Sequence, residues 1–193
     1  MKPFYLLLPE LPSPPEKFID AVDLDQSSFP TTSPFHEVRI RFCRRQGQQF
    51  LASPSVRARL PDSLQAELEQ WIKHNIIENF LHVGINYRQC NSDTSGIHTD
   101  SSREFSLTYN ITTGGSRCGV TWWQEKDRPM IRDLGLQVLD FGVVEPVATL
   151  TGPSQQWFLH DARILHSTEQ IETPRVQFQI SLNWSQLPDH WKL

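Results

Sequence analysis

Apolar residues fall at helical spacing in one stretch of the chain and alternate with polar ones through much of its second half. Across residues 62–80, Leu64, Leu68, Trp71, Ile72 and Ile76 recur every three or four positions. The spacing predicts a helix whose apolar stripe packs against a sheet. Asp62, directly after Pro61, stands where a capping side chain is expected. From residue 81 the period changes to two, and residues 81–89 read as a strand. Residues 105–111 place Phe105, Leu107, Tyr109 and Ile111 on one face and Ser106, Thr108 and Asn110 on the other. Residues 175–184 repeat the pattern, with Arg175, Gln177, Gln179 and Ser181 alternating with Val176, Phe178, Ile180 and Leu182. Strands with one packed face and one polar face suit a barrel wall around a wet site. Shorter runs at 35–42, 120–123, 147–150 and 157–159 read as further strands, and Thr113-Gly114-Gly115-Ser116 reads as a turn.

Nine of the fourteen prolines lie in residues 1–61. Proline removes ladder donors and fixes φ, so this third should wrap the core in extended or irregular segments. Residues 124–146 are mixed in character and read as a lid or an inserted hairpin. No internal repeat, low-complexity tract or domain boundary interrupts the chain. One domain spanning 1–193 is expected: a proline-rich wrap over 1–61, a buttress helix over 62–80 and a β core over 81–184. The class is mainly β with flanking α, and the architecture expected is a double-sheet jelly roll.

Composition narrows the partners. A chain 38% hydrophobic and 21% charged fits a soluble globular protein. A net charge of −4 gives no basic footprint, so nucleic acid is not an expected partner. The basic run Arg39, Arg41, Arg44 and Arg45 reads as a solvated strand edge rather than an acidic-ligand site. The apolar run at 4–8 stops at Pro9 and Glu10, too short for a signal-peptide core or a membrane span. Cys43, Cys90 and Cys118 give neither a disulfide framework nor zinc spacing. A reducing cytoplasm is the expected location.

The chemistry gathers around His98-Thr99-Asp100. In an extended segment residues i and i+2 share a face, so an imidazole and a carboxylate point the same way. His166 comes later, after Asp161-Ala162-Arg163. Two histidines and one carboxylate with open positions form the facial triad of non-haem Fe(II) oxygenases. Arg175, nine residues past His166, heads the next strand and supplies a fixed fork for a carboxylate.

In this order and spacing, His98, Asp100, His166 and Arg175 resemble the Fe(II)/2-oxoglutarate-dependent dioxygenases. The resemblance covers roughly residues 81–184. Residues 103–112, Gly114-Gly115, Asp161-x-Arg163 and the step from His166 to Arg175 look most like the prolyl-hydroxylase-like branch. It implies a double-stranded β-helix, with His98, Asp100 and His166 as catalytic iron ligands. Arg175 would bind the distal carboxylate of 2-oxoglutarate, the cosubstrate, which would be decarboxylated to succinate and CO2. O2 would be consumed, and ascorbate would serve as reductant. Relatives that halogenate have a small residue where this chain has Asp100, so hydroxylation or desaturation is implied. Asn110 stands where relatives of that branch often have a cosubstrate-binding Tyr. Tyr87 is a candidate wall residue for cosubstrate or substrate. Gln177 replaces a Ser common among relatives, and collagen-type prolyl hydroxylases have Lys in place of Arg175.

Other residues read more plainly. His160 lies behind the ligands or is structural, and Asp161 with Arg163 braces the turn before His166. At most one of Trp122 and Trp123 faces a substrate. Arg103 and Arg117 suit a salt bridge or an anionic substrate. The expected reaction is hydroxylation of an unactivated C–H bond in a small molecule or amino acid. A peptidyl, prolyl-type hydroxylase is the alternative within the class. A non-enzymatic metal or 2-oxoglutarate sensor, or a cupin-like metalloenzyme without cosubstrate, lies outside it. A peptide substrate predicts an open groove, and a metabolite predicts a pocket closed by 124–146.

Overall fold

The computed structural model describes residues 4–22, 39–40, 56–58, 60–88, 96–138, 140–151 and 155–192. They form two antiparallel sheets with two helices. The larger sheet is built from β1 (Tyr5–Leu8), β3 (Val56–Ala58), β4 (His82–Arg88), β5 (Phe105–Thr113), β9 (Trp157–Asp161) and β11 (Arg175–Leu182). Its strand order is β1-β9-β5-β11-β4-β3. The smaller sheet sets β10 (His166–Glu169) beside β6 (Gly119–Glu125) and β6 beside β8 (Val144–Thr151). A two-residue strand, β2 (Arg39–Ile40), pairs in parallel with β7 (Leu136–Gln137).

The alternation seen in the sequence decides which face of the larger sheet is dry. Phe105, Leu107 and Tyr109 of β5 and Val176, Phe178 and Ile180 of β11 pack outward against helix α2 (Asp62–Asn75). Leu68 and Ile72 from that helix are fully buried there, and Leu64, Trp71 and Ile76 are partly buried beside them. Each aliphatic side chain so buried contributes about 1.5–3 kcal/mol of transfer free energy. Phe18 of α1 (Glu16–Asp20) joins the same core. The opposite face carries Ser106, Thr108, Asn110, Gln177 and His160 and looks across at the smaller sheet. Trp122 of that sheet is fully buried, its ring stacked 5.2 Å from Tyr5 of β1.

Several boundaries differ from the expected ones. Pro61, not Asp62, is the N-cap residue, and Asp62 makes no capping hydrogen bond. The helix ends at Asn75 rather than Phe80. The N–H groups of Ile76 and Ile77 both donate to the Ile72 carbonyl, and Ile76 is the C-cap residue, with φ stretched to −119°. The apolar stripe outlasts the helix because Ile76 still packs in the core after leaving it. Residues 124–146 do not form a lid, since none of those described lines the central cavity. They carry a β7 segment and a short turn of 3-10 helix at Phe141–Val143, packed around Leu136, Val138 and Val144. Of the candidate strand at 35–42, only Arg39 and Ile40 lie within the described residues; Arg41, Cys43, Arg44, Arg45 and Cys90 lie outside them. Among the described residues no helix is long and apolar enough to cross a membrane.

Candidate metal centre

His98 does not sit in a regular strand. It forms single antiparallel bridges to His166 on one side and Gln137 on the other. Its N–H donates to the His166 carbonyl at 3.0 Å, and the His166 N–H donates back at 2.8 Å. Thr99 N–H then donates to Leu136 O, and Asp100 N–H to Ala162 O, both at 2.9 Å. The backbone is thus pinned residue by residue, and the period-two geometry survives without a continuous ladder. Nε2 of His98 lies 3.7 Å from Oδ1 of Asp100. One ligand atom each from His98, Asp100 and His166 all fall within 4.8 Å of one another.

The surroundings orient these donors. Nδ1 of His98 lies 3.0 Å from Gly96 O, and Nδ1 of His166 lies 2.8 Å from Ile164 O. A ring nitrogen facing a carbonyl carries the proton, which leaves the Nε2 lone pairs for a metal. Burial lowers the His166 pKa to about 4 against the opposing pull of the Asp100 charge, so the ring is neutral near pH 7. Burial works to raise the Asp100 pKa, but the Arg103 guanidinium, with His166 and His98, outweighs it and holds the carboxylate well below its usual range. Arg103 Nε donates to Asp100 Oδ2 at 2.6 Å, which leaves Oδ1 toward the histidines. Two imidazoles with free Nε2 atoms and one ionised carboxylate, with a cavity on the remaining side, fit a ferrous ion.

That cavity runs from the space between the two sheets past β4 to the start of α2, at Asp62 and Gln65, and has a volume of about 520 Å³. Arg175 reaches into it from the first position of β11 and is only 2% exposed. Among the described residues no carboxylate pairs with it. Its neighbours are Cys118, whose Sγ lies 3.6 Å from Nη1, and the Gln177 amide. With its oxygen turned to the guanidinium, Gln177 accepts from Nη2 at 2.9 Å. Asn110 lies on the same face of β5, its amide 2.7 Å from that of Gln177. It is one step behind the cavity wall.

Tyr87 is placed elsewhere. It is buried in the core under α2 and does not line the cavity. The rest of β4 from His82 to Asn86 does line it. The alternation of Val83, Ile85 and Tyr87 already marked Tyr87 as a core residue. His160 is buried behind the ligands, its ring 5.0 Å from that of His166, and burial lowers its pKa to about 4. Asp161 receives both Nε and Nη2 of Arg163, at 2.9 and 2.8 Å, and Nε of Arg132 at 3.1 Å. That cluster braces the turn into β10. Arg117 pairs with Glu172 at the surface. Trp123 turns away from Trp122 and donates from Nε1 to Ser167.

No protein-family model matches the chain. No curated protein matches it. Among solved structures it is similar to the crystal structure of the non-heme alpha ketoglutarate dependent epimerase SnoN from nogalamycin biosynthesis, at 16% identity and a TM-score of 0.34. The match covers 60% of this chain and 52% of that one, so the chain spans about half the length of that structure. At that level of similarity the site's own chemistry has to carry the functional reading.

Proposed function

We propose that this protein is an Fe(II)/2-oxoglutarate-dependent oxygenase that hydroxylates an unactivated C–H bond of a small molecule. The observation that carries the reading is a pair of features in one cavity. Three ligand atoms from His98, Asp100 and His166 converge within 4.8 Å, and the buried guanidinium of Arg175 faces the same space with no carboxylate partner among the described residues. A buried charge without a counter-ion is costly. A dicarboxylate with one end on Arg175 and the other at the metal removes that cost.

The strand order supports the same reading. β4-β11-β5-β9 faces the row formed by His98, β10, β6 and β8. An eight-membered double-sheet arrangement of this kind suits a jelly roll. Bound Fe(II) supplies the activation of O2. The chain's own residues do the rest. His98 and His166 present Nε2, and Arg103 occupies one Asp100 oxygen so that the other faces the metal. Arg175 holds the distal carboxylate as a fork, and Gln177 fixes the guanidinium plane.

The test is succinate formation from 2-oxoglutarate by purified protein with Fe(II), ascorbate and O2, without any added substrate. Slow iron-dependent succinate is expected, and Asp100→Ala should abolish it. Calorimetry should show 2-oxoglutarate binding to the metal-loaded protein. If there is neither turnover nor binding, the reading fails.

A further inference from the structure

A guanidinium that receives a carboxylate must stay charged and keep one edge open for it. Arg175 lines the cavity yet is 2% exposed, and burial works to lower its pKa. Among the described residues no carboxylate offsets that burial, and the group that acts the other way is the Cys118 sulfur. Cys118 Sγ accepts from Arg175 Nη1 at 3.6 Å. Gln177 takes a different edge. With its oxygen turned to the guanidinium, it accepts from Nη2 at 2.9 Å and from Nε at 3.3 Å. A guanidinium offers five N–H donors in a planar fork. The Nε–Nη2 edge is thus occupied, and the Nη1–Nη2 edge is the one left for a carboxylate, with Cys118 at its Nη1 end.

The sulfur has little freedom of its own. Cys118 stands one residue before β6 and two before Val120, which lines the cavity. It is 1% exposed and is not itself part of the cavity wall. Against it lies Gly114, where an added Cβ would come within 2.8 Å of Cys118 Sγ and 3.1 Å of Arg175 Cβ. The sulfur therefore fills the space between the β5–β6 turn and the guanidinium, and a longer side chain has no room there. A thiol is a weak acceptor, but it tolerates burial as a small apolar group does.

We infer that Cys118 is a positioning residue for the cosubstrate. Its sulfur keeps the Arg175 guanidinium aimed into the cavity and acts through it, without touching the ligand. The link to the cosubstrate rests on the oxygenase reading; the hold of Cys118 on Arg175 does not.

The test compares wild type, Cys118→Ser and Cys118→Ala in the whole protein. Both substitutions only shorten the side chain, so the fold should hold, and a thermal melt checks it. They remove nearly the same volume, but serine keeps an acceptor and alanine does not. Co(II) affinity and 2-oxoglutarate affinity of the Co(II)-loaded protein are measured by calorimetry. The Arg175 side-chain N–H signals are followed by NMR on metal-free protein without 2-oxoglutarate, and are identified by their loss in Arg175→Lys. Cys118→Ala should weaken 2-oxoglutarate about three- to tenfold, the scale of one hydrogen bond to a charged group, with Co(II) affinity unchanged. Cys118→Ser should bind more tightly than Cys118→Ala. The Arg175 signals should shift and exchange faster with water in Cys118→Ala before any ligand is added. Unchanged 2-oxoglutarate affinity in Cys118→Ala, equal weakening in both variants, a parallel fall in Co(II) affinity, or unmoved Arg175 signals would each overturn the proposal. If wild type binds no 2-oxoglutarate while the Arg175 signals still move in Cys118→Ala, the hold on Arg175 stands and the oxygenase reading fails instead.

Discussion

Both candidate ligand histidines are set by one local device, a ring Nδ1 facing the carbonyl two residues earlier in the chain. Asp100 is set by a different one. Its Oδ2 accepts from Arg103, whose Nη1 donates to Ser181 Oγ at 3.2 Å, and that hydroxyl contacts His82 Nε2 at 3.1 Å. Arg103→Met removes the donor and frees the carboxylate to rotate. The expected result is a Co(II) or Fe(II) affinity about 10–100-fold lower, read by calorimetry on a folded protein. An unchanged affinity would make the pair merely structural. Arg175→Lys tests the other end of the cavity. A point charge replaces a planar fork, so 2-oxoglutarate should bind at least about tenfold more weakly while metal affinity stays put. If metal affinity falls in parallel, Arg175 acts through the triad rather than on the cosubstrate. At this scale residue type and spacing single out the ligand candidates and Arg175 in the sequence, and the fold brings all four to one cavity. The sequence misled at Tyr87, where an aromatic ring looked more useful than its neighbour. Period two puts Tyr87 with Val83 and Ile85 on the packed face and leaves Asn86 on the wet one.

The turn joining β5 to β6 holds Arg175 through the backbone. The Gly114 carbonyl accepts from the N–H groups of Glu172 and Thr173, at 2.7 and 2.9 Å, just before β11 begins. Gly114 has φ +88°, and a Cβ there would lie 2.8 Å from Cys118 Sγ and 3.1 Å from Arg175 Cβ. Gly114→Ala should therefore cost about 1–3 kcal/mol from the left-handed backbone. For a chain of this size that lowers the melting temperature by roughly 2–4 °C per kcal/mol. It should also weaken 2-oxoglutarate binding, and a thermal melt beside a binding titration separates the two effects. The turn was legible from its paired glycines. β10 and the bridge at His98 were not, because each is held by partners distant in the chain and neither has a periodic run long enough to show. The helix end was illegible for a related reason. Ile76 belongs to the apolar stripe whether or not it is helical, so only the backbone turning back at Ile72 marks the stop.

Across the whole molecule, stability and chemistry lie on opposite faces of one sheet. The outer face shares the core with α2, so Leu68→Ala should cost about 2–5 kcal/mol while leaving the metal ligands in place. The inner face keeps two buried histidines, His160 and His166, whose pKa values are lowered from 6.5 to about 4 by burial. In the unfolded chain both rings take up a proton as the pH falls through 6.5. In the folded protein they resist until about 4. The unfolded state thus binds more protons in that window, and stability must fall as pH drops from about 6.5 to 4. Asp100 adds to the loss only lower, once the pH passes below its unfolded value of 3.8, because its carboxylate is held ionised in the fold. The melting temperature of metal-free protein should therefore be flat above about pH 7 and decline through the histidine window. His160→Phe should shallow that decline by removing one of the two protons, and the ring has Phe158 and Trp122 beside it for packing. Saturating Co(II) should raise the melting temperature at pH 7, where the His166 ring is neutral and Asp100 is ionised, and lose that effect as the pH falls toward 4, where His166 takes up its proton. A decline with the same slope in His160→Phe would mean that the His160 ring is not what the fold keeps neutral. A Co(II) shift that survives Asp100→Ala would place the metal away from His98, Asp100 and His166.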